Sequence, residues 1–260
     1  VLIPDAIALI FIAIFGLCVG SFLNVVIARI PEGRSIVFPG SACPRCGKAI
    51  AWYDNLPVLS YALLRGRCRN CREPISWRYP AVEIACGLLF VLAYSRFEEG
   101  TALASALILL AGLVAITAID LDHQIIPDVL SLPGIALGVL FSLAPGGIGW
   151  APSLLGVLLG GGVFVVIIAA STLVLGQAGM GVGDVKLGAM LGAFLGWKLA
   201  LLSILLSTLL GGPLAAALLV TGRKSRKDPI PFGPFLALGG FISLFWGEAL
   251  LAWYFEQFQS

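Results

Sequence analysis

Two sets of residues in this chain have the types and spacing to do chemistry, and the first is acidic. Asp184 closes the glycine-rich stretch Gly179-Met180-Gly181-Val182-Gly183-Asp184-Val185-Lys186, which ends a run from Val129 to Gly183 with no charged residue. Glycines at 179, 181 and 183 permit positive φ and the close approach of a second backbone. A carboxylate beside hydrocarbon is costly, so Asp184 is a functional candidate by default. The plainer alternative is a turn whose aspartate caps the next helix. A second acidic stretch, Asp120-Leu121-Asp122-His123-Gln124-Ile125-Ile126-Pro127-Asp128, holds three carboxylates and the only histidine. Helical residues two apart point about 200° away from each other, so Asp120 and Asp122 cannot serve one site. Asp120 directly continues an apolar run. Asp128 follows a proline and is expected to cap the next helix. His123 has no spaced partner and is expected to be a solvated surface residue.

If Asp120 and Asp184 share a site, they cannot both ionise easily. The ionised member can take a proton from water while the protonated one polarises a carbonyl, which is aspartyl proteolysis. Such a pair titrates as a unit. Two carboxylates can instead bind a cation or relay protons in a transporter, although transporters more naturally hold their acids near the bilayer midplane. A third reading is a metal-bearing membrane scaffold without chemistry.

The second set is Cys43-Pro44-Arg45-Cys46 and Cys68-Arg69-Asn70-Cys71. Four thiolates in a C-x2-C-x21-C-x2-C pattern can close a tetrahedral zinc site. Disulfides compete, but a reducing compartment favours metal. Zinc would also hold together a segment with few aliphatic residues. Cys18 and Cys86 lie in apolar runs and read as small buried residues. Asn24 and Ser21 are expected to hydrogen-bond between helices. Glu83, one turn into a span, is expected to pair structurally with a nearby arginine, with contact to a cationic substrate as the alternative.

The elements that position these residues follow from hydropathy and charge. The chain is 59% hydrophobic and 12% charged, with a mean hydropathy of +1.02; soluble domains run nearer a quarter charged. Its apolar runs are continuous rather than alternating, so an all-α polytopic membrane protein is predicted and a barrel is not. Nine of the sixteen Lys and Arg fall between Arg29 and Arg78, and four more fall in Arg223-Lys224-Ser225-Arg226-Lys227. Such clusters mark cytoplasmic loops. The first apolar run is long and has no basic start, so no cleavable signal peptide is expected.

About eight transmembrane helices are predicted, near 6–28, 80–97, 101–119, 129–144, 153–175, 187–197, 199–221 and 229–255. The sixth is short and starts just after Asp184. An outside turn is expected at Glu98-Glu99-Gly100. The expected organisation is a first transmembrane helix over 1–28, a small zinc-binding cytoplasmic domain over 29–79 held by Cys43, Cys46, Cys68 and Cys71, and a seven-helix membrane domain over 80–260. Counting crossings puts Asp120 and Asp184 on the same, cytoplasmic side. No internal repeat is evident.

These residues resemble a known family. Gly181-Val182-Gly183-Asp184 looks like the G-x-G-D signature of polytopic membrane aspartyl proteases. More specifically, the chain resembles the bacterial type IV prepilin leader peptidases, often also N-methyltransferases. The match rests on Gly20–Pro31, the two cysteine pairs, Leu56-Pro57-Val58-Leu59-Ser60, Ile75–Glu83, Asp120–Asp128, Gly179–Lys186 and Pro231–Gly239. The resemblance implies an eight-helix enzyme of the bacterial inner membrane with Asp120 and Asp184 as its catalytic pair. It implies cleavage of the basic leader of prepilins or pseudopilins at the cytoplasmic face, after a glycine and usually before a phenylalanine. It also implies methylation of the new amino terminus from S-adenosylmethionine, an activity tied to the N-terminal cytoplasmic region. The residues that bind the methyl donor are not identifiable, since no glycine-rich nucleotide loop follows a strand. Expected partners are the basic-leader substrates and the lipid bilayer, with no nucleic acid; the oligomeric state is left open. Glu32, Asp54, Glu73 and Glu83 are candidate contacts for the leader's positive charge.

Overall fold

Long apolar runs in lipid must satisfy their own backbone hydrogen bonds, which a helix does within one segment. The computed structural model describes residues 2–97, 100–176, 180–221 and 231–259, and among these there is no β-strand, only two isolated bridges. The helices are α1 (Leu2–Arg29), a short α2 (Leu59–Leu63), α3 (Arg78–Arg96), α4 (Thr101–His123), α5 (Asp128–Leu143), α6 (Trp150–Leu175), α7 (Val182–Val220) and α8 (Gly233–Gln259). Six of them are long and apolar enough to cross a membrane, and α5 is a shorter apolar helix. Gly196, at φ 77° and ψ 170°, breaks α7 into two limbs, 182–195 and 197–220. That backbone region is open essentially only to glycine. With this break the described residues contain eight apolar helical segments, the number expected.

Several boundaries differ from expectation, and the differences matter for chemistry. Helix α4 runs past Ile119 to His123 and stops where Gln124 turns left-handed, so Asp120 sits inside a helix. Helix α7 begins at Val182 and contains Asp184 in its first turn. Cys86 is buried as expected, but Cys18 is exposed on α1. The expected turn at Glu98-Glu99, Gly179 and the basic cluster 223–227 lie outside the described residues.

The chain divides into two compact units, Val1–Glu99 and Gly100–Ser260. In the first, α1 and α3 pack antiparallel along a glycine seam. A Cβ at Gly16 would lie 2.8 Å from Gly87 Cα, and one at Gly20 would lie 2.6 Å from Glu83 Cα. In the second, the same device joins α6 to the first limb of α7. A Cβ at Gly160 would lie 2.3 Å from the Gly188 carbonyl oxygen, and one at Gly192 would lie 1.9 Å from that of Gly156. Lipid supplies no hydrophobic drive between helices, so association rests on close backbone packing of this kind. The first limb of α7 is the axis of the second unit. Its Leu187, Met190, Leu191 and Phe194 pack with Leu109, Leu113 and Ile116 of α4, Phe164 of α6 and Leu236 of α8.

Candidate active site

Asp120 of α4 and Asp184 of α7 come to one place in the second unit, 5% and 8% exposed, close enough to interact electrostatically. Each anchors one carboxylate oxygen on a helix start. The N–H of Gly233, first residue of α8, donates to Asp120 Oδ2 at 2.9 Å, so the positive end of α8 faces that carboxylate. Gly233 makes the approach possible, because a Cβ there would lie 2.6 Å from the same oxygen. The N–H of Gly181 donates to Asp184 Oδ2 at 3.3 Å. Asp184 is the third residue of α7 and reaches back to the backbone ahead of it, which is half of a capping box. Asp184 therefore lies within the first turn rather than at the cap position of the plainer alternative, and its bond to the Gly181 N–H leaves it beside Asp120. Neither Gly181 nor Gly183 has positive φ. Gly183 instead permits close approach, as its Cβ would meet Ile126 Cβ at 2.9 Å.

Asp122 and His123 are exposed, as their positions after Asp120 predict. Asp128 is not a cap: Pro127 holds the cap position of α5 without a side-chain bond, and the Asp128 carboxylate pairs with Lys186. This ion pair escaped the sequence reading. Its signal was available, since Lys186 is the single Lys or Arg between Arg96 and Lys198, two residues after Asp184.

In the first unit the four cysteines converge. All four Sγ atoms lie within 4.8 Å of one another, Cys43 and Cys71 at 3.8 Å, and none is in a disulfide. Sulfurs at the corners of a tetrahedron with metal–sulfur bonds of about 2.3 Å stand about 3.8 Å apart, so the set can hold a metal ion. The two halves repeat one design 25 residues apart. Ala42 bridges Ala49, and Arg67 bridges Pro74. Cys43 N–H donates to Lys48 O, Gly47 N–H to Cys43 O and Ile50 N–H to Ser41 O; Cys68, Arg72 and Ile75 repeat these bonds to Glu73, Cys68 and Gly66. Gly47 and Arg72 take the matching left-handed turn at φ 70° and 63°. The repeat missed from the sequence is the shared pattern C-x-x-C-x-x-x-I-x-W. Backbone N–H groups of Cys71 and Asn70 pull the Cys68 thiol down to about 6, while, against the backbone N–H of Glu73, burial and hydrogen bonds from the neighbouring sulfurs push Cys71 up to about 11, so the close-packed thiols share protons and Cys68 is the one that ionises first.

The acids named for leader recognition are already engaged. Glu32 pairs with Arg34 at 2.6 Å, Glu73 with Arg45 at 3.5 Å and Asp54 with Arg69 at 2.6 Å. Glu83 is buried and takes the Val58 N–H at 2.7 Å and the Ser21 hydroxyl, in place of the expected arginine. Asn24 donates to the Tyr79 carbonyl at 3.0 Å, the interhelical bond expected of it.

Residues 14–97 match the Bacterial Peptidase A24 N-terminal domain, and residues 107–216 match the Type IV leader peptidase family. A curated relative from Aeromonas hydrophila is 40% identical over 94% of this chain and 93% of its own length. One from Pseudomonas aeruginosa is 39% identical over 94% and 92%, and one from Myxococcus xanthus is 45% identical over 84% and 65%. All three are named prepilin leader peptidase/N-methyltransferase. No solved structure matches the chain. Likeness of this extent covers the unit with the four cysteines as well as the unit with the two aspartates, and the chain belongs to the type IV leader peptidase family.

Proposed function

We propose that this protein cleaves the leader from type IV prepilins or pseudopilins with Asp120 and Asp184, and then methylates the new amino terminus from S-adenosylmethionine. The observation that carries the reading is the buried meeting of two carboxylates from different helices, each steadied by one backbone N–H. The ionised carboxylate takes a proton from water, and the oxygen attacks the scissile carbonyl carbon. The protonated carboxyl hydrogen-bonds the carbonyl oxygen as negative charge develops there. Collapse then passes a proton to the departing amide nitrogen and breaks the C–N bond. The pair shares its proton and works as a unit.

Zinc held by Cys43, Cys46, Cys68 and Cys71 is proposed as structural, a closed set of four thiolates with no open position for substrate. The chain is proposed to be a multi-pass protein of the bacterial inner membrane with both aspartates toward the cytoplasm, supported by the Lys and Arg between Arg29 and Arg78. The substrate's basic leader stays on that side by its own charge. Since Glu32, Asp54, Glu73 and Glu83 all have partners within the chain, leader charge acts here through membrane orientation rather than through those acids. The transporter reading gains nothing from the relatives, whose names are those of peptidases.

The test is purified protein in detergent with a prepilin, followed on a gel. Asp120→Asn and Asp184→Asn are each expected to lower cleavage by about 10²–10⁴-fold, the usual worth of acid–base groups, in protein that still folds. Asp122→Asn and Asp128→Asn are expected to stay within a few-fold of wild type. Near-normal turnover in either member of the pair would end the aspartyl assignment.

A further inference from the structure

Asn24 and Glu83 form a polar site in the first unit that peptide cleavage does not use. Asn24 on α1 and Glu83 on α3 are 4% and 8% exposed. They sit on the glycine seam, where Gly20 backs onto Glu83 and, one turn along, Asn24 binds Tyr79. Asn24 Nδ2 is fixed by the Tyr79 carbonyl, and its buried Oδ1 has no partner. A buried acceptor left unmatched costs about 1–3 kcal/mol. Glu83 Oε2 takes the N–H of Val58, and its carboxylate also takes the Ser21 hydroxyl. A carboxylate has room for about four hydrogen bonds, so the cluster holds more acceptors than donors.

The backbone around it is strained toward the same point. Val58 has φ 60° and ψ −45°, and Leu59 N–H donates to Pro57 O at 2.5 Å across it. This is the rare positive-φ γ-turn, here on a β-branched residue, for which positive φ is a genuine outlier. Such conformations cost on the order of 1–3 kcal/mol and persist where the surroundings enforce them, often at functional sites. Here the turn delivers the Val58 N–H to Glu83.

We infer that the Asn24–Glu83 cluster holds the free amino terminus of the cleaved substrate for methylation, an assignment that rests on the two-step function proposed above. A primary ammonium offers three N–H donors and positive charge, which an amide oxygen and a carboxylate match. Methylation requires the amine to lose a proton, and Glu83 accepts it. The amine nitrogen then attacks the methyl carbon of the sulfonium donor. The N–C bond forms, the C–S bond breaks and its electron pair stays on sulfur as a thioether. A second proton leaves the product ammonium to solvent. The cluster lies five residues from Arg29 on α1 and five from Arg78 on α3, about 8 Å of helix from the charged ends of these spans, within reach of a soluble donor.

The experiment uses full-length protein in detergent, a prepilin and S-adenosylmethionine, with both products read by mass spectrometry and bound metal counted. In Glu83→Gln the amide oxygen can still take the Val58 N–H, while the charge and one acceptor oxygen give way to a donating NH2. Expected are cleavage within about twofold of wild type, unchanged metal and methylation reduced at least 100-fold. The residual methylation should rise about tenfold per pH unit up to the amine's own pKa near 8, because bulk solvent then replaces the lost base. A peptide with a free amino-terminal phenylalanine should bind wild type at least tenfold tighter than its N-acetylated form, and the preference should vanish in Glu83→Gln and weaken in Asn24→Ala. Wild-type methylation in Glu83→Gln, an unaltered preference for the free amine, or loss of metal and cleavage together with methylation would each overturn the assignment, the last making Glu83 a strut. A wild-type protein that cleaves but never methylates would instead refute the two-step function, and this inference with it.

Discussion

Gly233 shows how one missing methyl group governs a carboxylate. Its N–H anchors Asp120, and an added Cβ would press on the same oxygen at 2.6 Å. Gly233→Ala should displace Asp120 and lower cleavage about 10²-fold, the scale of an ångström-sized misplacement at a reacting centre; kcat measured beside a thermal melt separates this from unfolding. Charge pairing gives a second, pH-dependent case. The hydrogen-bonded guanidinium of Arg69 beside Asp54 holds that carboxyl below its ordinary range. The contribution is present above the unfolded pKa near 3.9 and is lost as pH falls through the depressed folded value. Protease resistance of residues 29–79 should therefore be flat from pH 7 to 5 and fall in stronger acid, and Asp54→Asn should remove that late acid loss. Asp120 and Asp184, both buried in the fold, stood out in the sequence because an isolated charge in an apolar chain does. The isolated Lys186 was also visible, but its pairing with Asp128 was not, because partners 58 residues apart meet only once helices pack.

The membrane helices were legible as uncharged runs, even to a break near the junction of the sixth and seventh segments. Their ends were less so. Helix α4 gains its last turn through Asp120-Leu121-Asp122-His123, where charge suggested a stop, but nothing in a solvated helical turn forbids charge. Tertiary register was hidden as well. Glycines at 156 and 160 and at 188 and 192 are visible in each helix, while their meeting is not. The α6–α7 contact is backbone on backbone, so no rotamer change can absorb a side chain there. Gly192→Leu should destabilise the second unit by at least the ~1–3 kcal/mol usual for overpacking. A lowered melting temperature, with cleavage lost in proportion, checks it, whereas Gly162→Ala, with open space around it, should change little.

Across the molecule helix packing orders both units, and the first adds between its two long helices a set of four cysteines that can hold a metal ion. A chelator that strips the metal should loosen residues 41–75, seen as new protease cuts, and should impair methylation more than cleavage. Equal loss of both activities would contradict that division. The metal set was plain from spacing. Its duplicated architecture was not, because only two cysteines, one isoleucine and one tryptophan per half are shared, and backbone bonding rather than side-chain identity carries the rest.

A metal ion on the four sulfurs would also change the chain as a polymer. Arg29 and Arg78 are separated by 48 residues, and the antiparallel α1–α3 hairpin must close that loop. Crosslinking Cys43 to Cys71 through a metal leaves about 21 free residues in the circuit, which by loop-closure entropy favours the hairpin by only about 0.7 kcal/mol. The connector is thus a thermodynamically inexpensive place for length to vary, and residues inserted between Arg34 and Ser41 should leave the helical pairing of α1 and α3 almost untouched.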